Sequence, residues 1–144
     1  MNLINKVSLT LLVLFFTSSC TQRTENEKTF NADDMMIRIS EIEIDSIDVE
    51  EYISILKEES EASVRLEPGV ISIFPMYEKE NPTEIRILEL YKDKAAYESH
   101  LETPHFKHYK TTTLKMVKSL KLIDMEAIDE ETMPAIFRKL PKNE

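Results

Sequence analysis

Residues 70–91 read VISIFPMYEKENPTEIRILELY and predict two β-strands joined by a polar loop. Both strands have large apolar side chains at odd and at even positions, so each strand carries apolar groups on both faces of a sheet. One layer of helices covers only one face of such a sheet. The stretch therefore predicts an α+β fold whose second sheet face is covered by another copy of the chain, which makes a homodimer the expected assembly.

The segments before this hairpin predict a strand and a helix. Residues 36–44 alternate apolar and polar side chains, with a change of phase near Ser40 that predicts either a bulge or a sheet that is apolar on both sides. Asp48 and Glu51 have the spacing of a capping box. Apolar or small residues then recur at helical spacing: Val49, Tyr52, Ile53, Leu56, Ser60 and Ser63. The solvated face is expected to hold Glu50, Glu58, Glu59 and Glu61.

Two helices and a strand are predicted after the hairpin. Asp93 caps a short helix that runs to about Leu101, and Thr103 with Pro104 supplies the N-cap and first position of the next helix. The apolar stripe of that helix is expected to contain Phe106, Tyr109, Thr113, Met116, Val117 and Leu120. Residues 121–128 predict the last strand. The resulting order is that of a ferredoxin-like βαββαβ fold with a four-stranded antiparallel sheet.

Composition limits the possible functions. The chain has 144 residues and a net charge of −9, which argues against nucleic-acid binding because phosphate contacts need a basic surface. Its only glycine, Gly69, rules out glycine-rich phosphate loops, and its only cysteine rules out disulfide frameworks and cysteine-rich zinc sites. The length allows one domain, expected at residues 35–128, followed by a polar tail at residues 129–144.

The first twenty residues predict a targeting signal. The apolar run at residues 7–16 would span about 15 Å as a helix, half of the hydrocarbon core, so it is too short to cross a membrane. Small residues and Cys20 follow, as in a bacterial lipoprotein signal, although Thr17 replaces the usual leucine. We expect residues 1–19 to be a signal peptide and residues 20–34 to be a lipidated cysteine with a disordered tether. A cleaved ordinary signal is the alternative. The protein would then be lipid-anchored in the cell envelope, touching the membrane only through the anchor.

Residues 88–106, LELYKDKAAYESHLETPHF, resemble the antibiotic biosynthesis monooxygenase (ABM) family. Members have an acidic-x-aromatic strand end, an aspartate followed by Ala–Ala at a helix start, and a His-Leu-x-(Ser/Thr)-Pro-His-Phe segment. The matching residues are Glu89, Tyr91, Asp93, Ala95, Ala96, His100, Leu101, Thr103, Pro104, His105 and Phe106. The resemblance implies a ferredoxin-like dimer whose two sheets form an α/β barrel, in agreement with the two-sided strands.

The function that the resemblance implies is less specific. The family includes quinol and polyketide monooxygenases that use O2 without flavin, metal or haem, haem-degrading enzymes, a sugar-phosphate isomerase and proteins with no demonstrated reaction. The haem-degrading branch has an Asn/Trp/His set, and this chain has no tryptophan, so we set that branch aside. The resemblance implies a monooxygenase that needs no cofactor and binds a small quinol or phenolic compound. A non-catalytic ligand-binding or stress-related module and an isomerase are the alternatives.

The histidines are the first candidates for chemistry. His105 is expected at the second position of a helix, where the helix dipole disfavours the imidazolium and favours the neutral ring that a general base requires. An equally weighted alternative is a structural histidine that bonds the loop at residues 101–103. His100 is expected to support His105, whereas His105 and His108 could share a helical face. None of these spacings is that of a zinc helix, and no metal site is expected.

Glu89 and the aromatic residues complete the predicted site. Glu89 shares a strand face with apolar neighbours, so its carboxylate needs a partner, for which Arg38 and Arg86 are candidates. It would bind a substrate hydroxyl or orient a histidine, or else bridge the two copies of the dimer, which is the interpretation we favour. The residues expected to line a substrate pocket are Tyr77, Tyr91 and Phe106.

Overall fold

The computed structural model describes residues 32–129, and the predicted order of elements is found there. The elements are β1 (Met36–Ile44), α1 (Val49–Leu66), β2 (Val70–Glu78), β3 (Asn81–Tyr91), α2 (Lys94–His100), α3 (Pro104–Thr113) and β4 (Val117–Met125). One turn of 3-10 helix, Ala32–Asp34, precedes β1 at the end of the predicted tether. The signal peptide, Cys20, the rest of the tether and all but the first residue of the tail lie outside the described residues.

The four strands form one antiparallel sheet in the order β2-β3-β1-β4. This order, with the helices between the strands, confirms the ferredoxin-like α+β fold. β1 pairs with β3 and β4 across Ser40 without interruption, and its register shifts only between Glu43 and Ile44. The change of phase near Ser40 therefore reflects a sheet that is apolar on both sides rather than a bulge.

The helices pack on one face of the sheet. The core there contains Ile42, Ile44, Tyr52, Leu56, Val70, Ile73, Ile85, Ile87, Tyr91 and Met116. The strand register places Ile37, Ile39, Leu88 and Phe74 on the other face, which we call the open face. No helix within residues 32–129 covers it, and Phe74 is 57% exposed. None of the helices in that part of the chain is long and apolar enough to cross a membrane.

α1 begins where predicted, but two details of the prediction are wrong. The Asp48 side chain makes no capping hydrogen bond, so the capping box with Glu51 does not form. Glu59 is 5% exposed and therefore does not belong to the solvated face. It follows Leu56 by three residues and precedes Ser63 by four, so helical geometry places it in the packed stripe.

The boundary between α3 and β4 also differs from the prediction. α3 ends at Thr113, and Val117 and Leu120 lie in a strand instead of continuing the helical stripe. The Thr113 hydroxyl donates to the carbonyl of Tyr109, a bond that competes with the helical backbone. The backbone of residues 117–125 pairs with β1, and this sheet pairing outweighs the helical spacing of the side chains.

The remaining boundaries agree with the sequence patterns. Asp93 accepts a hydrogen bond from the Ala96 backbone, and Thr103 accepts one from the Phe106 backbone, so both predicted helix starts are confirmed. Pro75 lies in β2, an edge strand, where a missing N–H is tolerated. β3 begins at Asn81, which makes the predicted loop between the two strands of the hairpin a short turn.

Candidate active site

A cavity of about 260 Å³ lies between the sheet and the layer formed by α2 and α3. Its polar wall is formed by Arg38, Ser40, Glu89, Tyr91, Tyr97 and His100, and apolar and aromatic side chains of α3 and β4 form much of the rest. Pockets for drug-sized ligands measure about 300–1,000 Å³, so this cavity is suited to a smaller molecule of one or two rings.

The cavity brings together most of the predicted site residues. Glu89, Tyr91, His100 and Phe106 line it. Tyr77 does not, because it lies 55% exposed on the far edge strand, where it lines a separate depression beside α1.

Glu89 is held by two neutral donors. The Ser40 hydroxyl donates to Oε1 at 2.5 Å, and the Tyr91 hydroxyl donates to Oε2 at 2.9 Å. Burial, followed by the nearby Glu89 carboxylate, raises the pKa of Tyr91, so the phenol keeps the proton that it donates. Glu89 lies on the helix-covered face of the sheet, and the expected bridge between two copies stays a prediction. Neither arginine considered for Glu89 is its partner.

Arg38 stands opposite Glu89 in the pairing of β1 with β3 but bonds Asp124 instead. Its Nε and Nη2 lie 2.8 and 2.6 Å from Asp124 Oδ1, and its guanidinium carbon lies 4.6 Å from the centre of the Tyr97 ring. Burial would lower the pKa of Arg38, but Asp124 and Tyr97 together raise it. The cavity wall therefore contains a permanent positive charge on β1, the strand next to that of Glu89, with Asp124 as its ion-pair partner.

His100 forms part of the cavity wall through its ring. The ring centre lies 4.7 Å from that of Phe106 and 5.5 Å from that of Tyr91. Both ring nitrogens face carboxylates, since Nδ1 is 3.0 Å from Glu67 Oε1 and Nε2 is 3.6 Å from Glu59 Oε1. His100 thus joins the helix layer to α1 and the turn that follows it.

His105 contacts Glu67 and is not among the residues that line the cavity. Its Nε2 lies 2.6 Å from the same Glu67 oxygen that meets His100. The pair that shares a partner is therefore His100 and His105, while His108 is exposed. Sequence reasoning missed Glu67, which no spacing rule singles out, and Glu59, which the helical stripe could have revealed.

Glu67, His100 and His105 are also the described residues that could hold a metal ion, since their ligand atoms lie within 4.8 Å of one another. Ligands about 2.0–2.1 Å from a tetrahedral zinc ion lie about 3.3 Å apart. The separations of 2.6 and 3.0 Å to the Glu67 oxygen are shorter and are those of hydrogen bonds. As arranged here, the group is a hydrogen-bonded network, and the absence of a metal site stays a prediction.

Glu59 gives this network a testable dependence on pH. Burial raises the pKa of Glu59 above 4.5, although bonds from Ser63 and the nearby His100 oppose the shift. The folded chain therefore binds this proton more tightly than the unfolded chain. The stability that depends on the proton is fully present below the unfolded pKa of about 4.5 and is lost as the pH rises through the folded pKa.

Replacing Glu59 by glutamine should remove this loss, because an amide still accepts from Ser63 but carries no charge. We expect the Tm of the wild type to fall by a few degrees relative to that of Glu59→Gln as the pH is raised above about 4.5, since about 1 kcal/mol shifts the Tm of such a domain by about 4–8 °C. Differential scanning calorimetry measures the difference. Glu58→Gln, at an exposed neighbouring position, is the control, and the same pH response in both variants would contradict the assignment.

Comparison with known proteins agrees with the family resemblance of residues 88–106. The family profile described as "Antibiotic biosynthesis monooxygenase" matches residues 35–112, more than half of the chain. A crystal structure of a candidate antibiotic biosynthesis monooxygenase from Bacteroides thetaiotaomicron is similar at 52% identity, over 69% of this chain and 94% of that chain, with a TM-score of 0.68. A candidate monooxygenase from Lactobacillus acidophilus is 32% identical over 64% of this chain and 44% of that chain, with a TM-score of 0.62.

A more distant structure shares the fold. A candidate antibiotic biosynthesis monooxygenase from Nitrosomonas europaea is 21% identical over 66% of this chain and 91% of that chain, with a TM-score of 0.62. No protein of the curated set matches this chain. The profile match and the 52% identity over most of the folded residues, together with the fold, lead to one assignment. The chain belongs to the antibiotic biosynthesis monooxygenase family.

Proposed function

We propose that this protein is a cofactor-independent monooxygenase that acts on a small quinol or phenolic compound. One observation carries the proposal: a ring-sized cavity with apolar and aromatic walls is lined both by a carboxylate, Glu89, and by a buried guanidinium, Arg38. A phenolic hydroxyl bound in this cavity has a proton acceptor, Glu89, and a positive charge, Arg38, in the same wall. Membership of the family supports the reaction class, and the size of the cavity supports a small substrate.

The proposed reaction begins with proton transfer. Glu89 accepts the proton of a bound phenolic hydroxyl, and Arg38 stabilises the negative oxygen that forms. The electron-rich anion then reduces O2, so the substrate supplies all four electrons. For 1,4-naphthohydroquinone, C10H8O2 reacts with O2 to give 2-hydroxy-1,4-naphthoquinone, C10H6O3, and water. One oxygen atom forms a new carbon–oxygen bond, and the other leaves as water with two substrate hydrogens.

We assign the histidines a structural part in place of the general base expected at His105. We assign proton acceptance to Glu89 rather than His105 because Glu89 lines the cavity, whereas His105 contacts Glu67. His105 and Glu67 hold the ring of His100 against Phe106 and so fix the shape of the cavity wall.

Oxygen uptake tests the proposal. The full chain is mixed with a panel of quinols that includes 1,4-naphthohydroquinone, and uptake above autoxidation is recorded together with the hydroxylated product. We expect one O2 consumed for each product formed. Binding of these compounds without turnover would instead support the non-catalytic ligand-binding module, and rearranged product without O2 uptake would support the isomerase.

We also propose that the protein is a homodimer joined through its open face. The support is the apolar character of the open face and the exposure of Phe74 on it, which is 57%. Sedimentation velocity of the chain from which residues 1–19 have been removed should give a dimer at micromolar concentration. The variant Phe74→Glu should shift the population toward monomer, and a wild type that is monomeric throughout would contradict the assembly.

Export and lipid anchoring are proposed on the sequence of residues 1–20. The apolar run and Cys20 support a lipoprotein signal. Intact-mass spectrometry of the protein purified from membranes should show a chain that begins at Cys20 and carries acyl groups. A chain with an unmodified Cys20 would contradict the anchor.

A further inference from the structure

Three exposed leucines lie at one end of the cavity. Leu114 is 71% exposed, Leu120 is 57% exposed and Leu122 is 49% exposed, yet all three also line the cavity. A side chain that faces both the cavity and solvent lies at an opening. We call these residues the leucine rim. They lie at the end of α3 and on β4, the edge strand of the sheet beyond β1.

The inner part of the cavity is polar. Ser40 and Tyr91 are almost fully buried, and they hold the Glu89 carboxylate by hydrogen bonds. Leu122 pairs with Ser40 across β4 and β1, whereas Glu89 lies on β3, on the other side of β1. Two strand spacings, about 10 Å, therefore separate the backbone of β3 at Glu89 from that of β4 at Leu122. The cavity thus runs from a buried polar end to an exposed apolar opening.

We propose that the substrate is a quinol that carries an alkyl or isoprenoid tail, with its hydroxyl at Glu89 and its tail across the leucine rim. This inference rests on the proposed function and adds the class of ring substituent that the site accepts. A tail at the rim covers leucines that otherwise stay in water, and each methylene group buried there strengthens binding. A quinol without a tail fills only the inner part of the cavity.

Binding of the oxidised compounds tests the rim without requiring turnover. The probes are 1,4-naphthoquinone and 2-decyl-1,4-naphthoquinone, whose dissociation constants are measured by equilibrium dialysis against the full chain. The Leu120→Ser/Leu122→Ser variant should bind the decyl compound at least about tenfold more weakly than the wild type, since loss of two buried methylene groups suffices for that change. Its affinity for the unsubstituted quinone should change less than about twofold.

A matched control distinguishes the loss of leucines at the rim from the loss of exposed apolar side chains elsewhere on the surface. Val64 and Leu66 are exposed on α1, where Leu66 has an exposure of 56%, close to that of Leu120. Val64→Ser/Leu66→Ser should leave both affinities unchanged. A rim variant that binds both quinones like the wild type overturns the inference, and oxygen uptake with tail-free quinols would then leave the proposed function standing. If neither quinone binds and no quinol is turned over, the inference about the tail and the proposed function are both overturned.

A contact between two copies of the chain is the alternative role for the leucine rim, and the same variants distinguish it from tail binding. Sedimentation velocity of the rim variant should give the same assembly as the wild type. Conversion to a monomer with unchanged binding of the decyl quinone would assign the leucines to an interface and overturn the inference.

Discussion

Replacing Glu89 by glutamine should lower kcat for a quinol substrate by about 10²–10⁴-fold, the usual contribution of a general base. The amide is close in shape to the carboxylate, and its oxygen still accepts from Ser40 or Tyr91, so the cavity keeps its form. It cannot take up the phenolic proton. The dissociation constant for 1,4-naphthoquinone should therefore change only a few-fold, and the loss should appear in kcat. Steady-state oxygen uptake and equilibrium dialysis measure the two quantities.

Two further variants make this result specific. Glu84 lies on the same strand but pairs with Arg86 outside the cavity, so Glu84→Gln should keep wild-type turnover. His105→Ala should lower turnover much less than Glu89→Gln, because His105 acts through Glu67 and His100. If His105→Ala removes turnover while Glu89→Gln retains it, the base is His105, as the sequence pattern first suggested.

The second large effect is expected at Gly69. A Cβ added there would lie 2.4 Å from the Cβ of Ala96, which is closer than two non-bonded carbon atoms can approach. The Gly69 carbonyl also accepts a hydrogen bond from the Lys92 backbone, so the turn before β2 is fixed against the segment that leads into α2. Gly69→Ala should destabilise the fold by about 1–3 kcal/mol, the usual cost of overpacking. Urea denaturation followed by circular dichroism gives the free energy of unfolding.

A second substitution tests whether contact with Ala96 is the cause. Ala96→Gly alone should cost about 1 kcal/mol, because glycine weakens a helix interior. Added to Gly69→Ala, it should restore stability instead of reducing it further. Ala95→Gly, at an exposed position of the same helix, should give no such rescue. Additive losses in the Gly69→Ala/Ala96→Gly variant would contradict the contact. Because α2 carries Tyr97 and His100, Gly69→Ala should also weaken quinone binding.

Most of the fold follows from local pattern in the sequence. Alternation in residues 36–44 and 85–91 identifies two strands. The capping residues Asp93 and Thr103, with Pro104, identify the starts of two helices through hydrogen bonds to residues three positions away. The end of α3 could not be read in this way. Residues 113–120 fit helical spacing, and only pairing with β1, more than seventy residues earlier in the chain, makes the last of them a strand.

The site was less accessible to sequence reasoning, because its residues meet through strand pairing and helix packing. The motif located Glu89, His100 and Phe106, which line the cavity, but it gave no sign that both His100 nitrogens face carboxylates. Glu67 comes from the turn after α1 and meets two histidines more than thirty residues away. Tyr77 and Tyr91 are both tyrosines near the end of a predicted strand. Only the strand order, which places the strand of Tyr77 at the edge of the sheet, distinguishes the two positions.

The cavity between the sheet and the α2–α3 layer is the proposed binding site for a hydroxylated aromatic ring, with Glu89 and Arg38 as the groups that bind its oxygen. A crystal structure of the protein with bound 2-hydroxy-1,4-naphthoquinone tests this most directly. We predict the ring inside the cavity, with one of its oxygens about 3 Å from the Glu89 carboxylate or the Arg38 guanidinium. A ring bound elsewhere on the molecule, with the cavity filled by solvent, would contradict the account.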